Sequence, residues 1–154
     1  MNALQFRTRV AVLWMAVAVA TVAQMLLYFL IPGALEEMLA GQVEGEALTA
    51  GVGYQMALLV VIPLAMATMT LLARDRVNRY AGLVVGLLVG LLGSLLVGDH
   101  LLDGVVNGHV LLAAVAVLLA FLIAGLSAAE LRQPVSGPGL SADAPTGRRH
   151  PTSV

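Results

Sequence analysis

The residues best suited to chemistry lie late in the chain, at His100, Asp103 and Asn107. Imidazole is the side chain whose ordinary charge change falls near neutral pH. Beside a carboxylate it can pass a proton or hold a cation. If a helix begins near Leu101, these three residues share an arc of about 60°. Further polar side chains stand on two other apolar stretches. Gln24 and Tyr28 share a face with Trp14 and Thr21, and Tyr54 with Gln55 opens a later stretch. Gln24, Tyr28, Tyr54, Gln55, His100, Asp103 and Asn107 therefore form a candidate outward-facing polar pocket. A plainer reading stands beside it. Thr21 and Gln24 then hydrogen-bond between helices, the tyrosines sit in an aromatic belt, and residues 99–109 are a hydrated link.

Other chemistries find little support. A metal set of Asp99, His100, Asp103 and His109 fails on a continuous helix, because His109 is nine residues beyond His100 and points to the opposite side. Only a bent loop brings those rings together, so no metal site is expected. Bis-histidine haem ligation needs histidines at matching depth on facing helices, and the remaining His150 lies near the C-terminus. The absence of cysteine removes disulfides, thiol redox chemistry and cysteine-ligated metals. Without a nucleophile–base pair in the apolar stretches, no catalytic residue, cofactor or enzymatic activity is expected.

The elements that must position these residues are apolar and long. Of 154 residues, 60% are hydrophobic and only 11% charged, against about 25% charged in a soluble domain. Apolar runs over about 10–31, 51–73, 80–98 and 105–129 each suffice to cross a hydrocarbon core of about 30 Å. The expected fold is all-α, an antiparallel bundle of four transmembrane helices over residues 1–132. The first run continues well beyond Ala18-Val-Ala20, which favours an uncleaved anchor over a signal peptide. After Pro32-Gly33, Leu35, Met38 and Leu39 oppose Glu36 and Glu37, predicting a short interfacial helix. Pro63, with Met66 and Met69 nearby, is a hinge or a static packed kink. Residues 133–154 contain four of the six prolines and no apolar periodicity, predicting a disordered tail.

Gly82, Gly86, Gly90 and Gly93 fall within about one quarter of the third helix surface. In water, interior glycines cost a helix about 1 kcal/mol each. In lipid they let another backbone approach closely. Ala113, Ala116, Ala120 and Ala124 in the fourth run form a matching small-residue stripe. The arginines Arg7, Arg9, Arg74, Arg76, Arg79, Arg132, Arg148 and Arg149 all belong to the N-terminus, the second loop or the tail. The positive-inside rule then places both termini in the cytoplasm of a cell whose inner (plasma) membrane holds the chain. The Arg74–Arg79 cluster acts as a topogenic signal and can also meet anionic lipid.

Several short motifs resemble a family of small, uncharacterised bacterial four-span membrane proteins known as a domain of unknown function. They are Arg7-Thr-Arg9, Pro32-Gly33 with Leu35-Glu36-Glu37, Gly41-Gln-Val-Glu-Gly45, Ile62-Pro63-Leu-Ala-Met66 and Asn78-Arg79-Tyr80. The resemblance covers roughly residues 7–130. It implies the four-span fold and brings no activity. The family pattern has an acidic residue before the Ile-Pro pair, where this chain has Val61.

The expected role is non-enzymatic: a helix-packing component in the lipid bilayer, either a homo-oligomer or an accessory to a larger membrane protein. The rival is a subunit of a small-solute or ion transporter or channel, which usually needs a carboxylate inside a span. The four predicted runs contain none, which ranks transport second. No basic surface points to nucleic acid.

Overall fold

The computed structural model describes residues 3–43, 45–102, 104 and 107–132 and is helical apart from one small strand pair. The four long helices are α1 (Ala3–Tyr28), α3 (Ala50–Leu72), α4 (Asp75–Leu102) and α5 (Gly108–Arg132), each long and apolar enough to cross a membrane. The short helix α2 (Ala34–Leu39) follows α1. Strands β1 (Gln42–Val43) and β2 (Glu46–Ala47) then pair antiparallel, with Val43 opposite Glu46. Sequence reasoning did not anticipate this hairpin. Gly45, at φ +77°, supplies the left-handed residue that such a tight turn requires. The predicted tail, 133–154, lies outside the described residues.

Local chemistry explains where the helices begin and end. The polar lead carrying Arg7 joins α1, since nothing between Ala3 and Val10 breaks a helix. At the other end Pro32 disfavours helical backbone at Ile31. The amides of Leu30 and Ile31 donate to the carbonyls of Leu27 and Tyr28, tightening the exit. Thr49 caps α3 by accepting a hydrogen bond from the Val52 amide. The charged segment Asp75–Arg79, which the sequence assigns to the second loop, is the first part of α4. Asp75 suits that place because a carboxylate is favourable at a helix N-terminus.

The packing order is α3, α1, α5, α4. Helix α1 packs on α3 and α5, α5 also packs on α4, and α3 meets α4 only slightly. The core sits mainly between α1, α3 and α5. Phe6, Val10, Trp14 and Val17 supply its α1 face at spacings of four, four and three residues. Met66 and Ala67 enter from α3, and Ala116 and Ile123 from α5. Several hydroxyls in the apolar helices bond their own backbones. Thr21, Thr70 and Ser94 donate to the carbonyls of Val17, Met66 and Gly90 at 2.9, 2.7 and 2.8 Å, leaving few polar groups needing a partner elsewhere.

Candidate functional site

Three places carry the polar chemistry: the α4–α5 turn, a cavity among the four long helices, and the opposite, arginine-bearing end.

At the α4–α5 turn the chain does not continue as one helix. His100 and Asn107 do not share one helix. Helix α4 runs through His100 to Leu102, the chain turns at Gly104 with φ +71°, and α5 starts at Gly108. Asn107 is a cap: its Oδ1 accepts from the Val110 amide at 3.2 Å. Asp103 lies outside the described residues. On a continuous helix His109 would point away from His100, and only a bent chain brings their rings together. The break in helix brings the two rings to 5.4 Å between centroids, with planes at 77°. Tyr28 adds its ring at 6.0 Å from that of His109, edge to face. His109 is only 7% exposed, whereas His100 is partly open.

The polar residues predicted on the other helices divide. Gln24 and Thr21 line a cavity of about 160 Å³ among α1, α3, α4 and α5. The rest of its wall is apolar or glycine, including Leu59 and Pro63 from α3, Gly93 and Leu96 from α4, and Ala116 from α5. Pro63 is buried here, inside a helix that continues through it. Tyr54 and Gln55 do not join this wall. Both are exposed, Tyr54 to 72%. The seven predicted pocket residues therefore separate into a cavity residue (Gln24), an aromatic cluster (Tyr28, His100), a cap (Asn107), two exposed residues and one undescribed residue.

The arginine-bearing end holds a polar layer that sequence reasoning missed. Glu130, 4% exposed, faces inward on α5, with its Oε2 3.5 Å from Nη2 of Arg79. Arg79 Nη1 also donates to the Glu130 carbonyl at 3.1 Å. The sequence placed no carboxylate within a span because the fourth apolar run was ended at Ala129. Helix α5 continues to Arg132 and carries Glu130 into the protein interior. A second ion pair joins Arg7 Nε to Asp75 Oδ1 at 2.7 Å, linking the start of α1 to the start of α4. Asn78 Nδ2 donates to the carbonyls of Thr70 and Ala73, at 2.7 and 3.3 Å, and so closes the end of α3 against α4. Among the described residues, Asn78 Oδ1, Arg79 Nε and Ser127 Oγ are buried without a hydrogen-bond partner. A signal for this layer was present. Ala116, Ala120, Ile123, Ser127 and Glu130 follow one another at spacings of three and four, so Glu130 extends a buried stripe.

The glycines occupy the seam between α4 and α5. A β-carbon on Gly86 would stand 2.9 Å from the Ala120 carbonyl oxygen and 3.2 Å from the Ala124 β-carbon. On Gly82 it would meet Ser127 Oγ, on Gly90 the Phe121 ring, and on Gly93 Val117 Cγ2. The Gly86 clash is with backbone, which side-chain rotation does not relieve. Leu87, Leu88, Leu91 and Leu95 of the same helix are exposed.

Among the described residues, no group of three or more histidine, aspartate or glutamate side chains is placed to hold a metal ion. No known family, curated protein or solved structure matches the chain.

Proposed function

We propose that this chain is a multi-pass integral protein of a bacterial inner membrane and acts without catalysis, as a packing component of a homo-oligomer or of a larger membrane complex. On this reading the four long helices cross the bilayer antiparallel, with the arginine-bearing end and both termini in the cytoplasm. The resemblance to small four-span proteins is in keeping with that arrangement. The extent of apolar exposure supports it. In the most apolar 18-residue window of α4, only 17% is buried within the protein. Soluble monomers rarely expose contiguous apolar patches beyond a few hundred Å².

The observation that carries the packing role is the gap between α3 and α4. The two helices meet slightly, and the cavity beside them is lined by exposed leucines of both, among them Leu59 and Leu92. A helix of another subunit fits such a gap better than it fits the closed α4–α5 seam. A photo-cross-linking residue at Leu92 tests this in native membranes. The expected product is a discrete protein adduct, either a dimer of the chain or a complex with one other membrane protein. Adducts with lipid alone would contradict the packing role.

Transport is the second reading, and Glu130 now favours it more than the sequence did. An inward-facing carboxylate paired with Arg79, together with Gln24 in the cavity wall, is the kind of equipment a solute or ion path uses. Solute or ion flux in proteoliposomes that is lost in Gln24→Ala would establish it over the packing role.

A further inference from the structure

We propose that His100 and His109 form a binding site for a borderline divalent transition-metal ion, Zn²⁺, Ni²⁺ or Cu²⁺, at the α4–α5 turn. The geometry of the two rings carries the inference. An imidazole nitrogen binds such an ion at about 2.0–2.1 Å, which puts the ion about 3.2 Å from the ring centroid. Two imidazoles at a tetrahedral angle around one ion then have centroids about 5 Å apart. The rings stand 5.4 Å apart with their planes crossed at 77°, close to the centroid spacing of two imidazoles on one ion.

The scaffold holds each ring from a different side. His100 is on the last turn of α4, and His109 is on the first turn of α5, where Asn107 caps the helix. Tyr28 of α1 backs His109 edge to face. Asp99 is next to His100 and exposed, and it favours a cation nearby. The arginines among the described residues, Arg7, Arg9, Arg74, Arg76, Arg79 and Arg132, belong to the segments at the other end of the helices, so none competes. Imidazole suits Zn²⁺, Ni²⁺ and Cu²⁺ better than Mg²⁺ or Ca²⁺, which take oxygen ligands. With two protein ligands the ion keeps positions for water or for an incoming ligand, as open sites do.

The site requires neither a partner subunit nor a transported solute, so it stands or falls apart from the packing role. The test is titration of the tag-free full chain in detergent with Zn²⁺ alone, followed calorimetrically and by thermal unfolding. The expected result is one ion per chain and a raised melting temperature. Affinity falls at least tenfold in both His100→Ala and His109→Phe, the latter keeping an aromatic ring against Tyr28 while removing the nitrogens. His150→Ala binds like the parent. Two results overturn the proposal: parent binding no tighter than that of the His100→Ala/His109→Phe double variant, or full Zn²⁺ affinity in His109→Phe, which would leave a plain ring contact.

Discussion

Helix α4 has two chain neighbours, and it treats them differently. It lies along α5 through the glycine seam, yet it meets α3 only slightly although two residues separate them in sequence. A short link does not make an interface; matched surfaces do. Gly82, Gly86 and Gly90 are buried on the α5 side, where Ala120 and Ala124 allow the backbones to come close. The small and buried residues of α3, including Ala67 and Thr70, are not matched by a second glycine face on α4. Beyond the Asn78 bonds at one end, bulky leucines line both sides of the gap.

The comparison is broken most directly at its closed side. Gly86→Leu forces a side chain against the Ala120 carbonyl and should cost about 3 kcal/mol by overpacking, read as a large drop in melting temperature in detergent. Leu88→Ala, on an exposed face of the same helix, is the control and should change stability by about 0.5 kcal/mol or less. Equal losses from the two would end the distinction between seam and outer face. A smaller effect than that of Gly86→Leu is expected from Glu130→Gln, which leaves Arg79 without its charge partner. Removing one member of a fully buried pair costs about 3–5 kcal/mol. Arg79 is partly open, with a side chain 27% exposed, so about 1–2 kcal/mol is expected. Unfolding curves of Glu130→Gln and the parent that coincide would show that the pair does not hold α4 to α5 at this end.

Much of the architecture was legible in the residues. Apolar runs located the long helices, and the four-residue glycine spacing located a close-packing face. The short helix after Gly33 was legible from the opposed faces of Leu35 and Glu36. What escaped depended on how one helix is rotated or where another stops. Glu130 borders an apolar run, and its inward direction follows from the rotation of α5, which the seam with α4 fixes. His109 meets His100 because the chain turns at Gly104, and residue spacing on an assumed continuous helix gives the opposite answer. Tyr54 and Gln55 have the right types for a pocket, but the gap between α3 and α4 leaves their part of α3 uncovered.

The central claim is that the four long helices cross a membrane with the arginine-bearing end inside. Because the chain has no cysteine, single cysteines report their own exposure without background. An impermeant maleimide applied to intact cells should label Gln42→Cys in the hairpin and leave Val77→Cys at the start of α4 unlabelled until the cells are opened. Labelling of Val77→Cys in intact cells would contradict the arrangement.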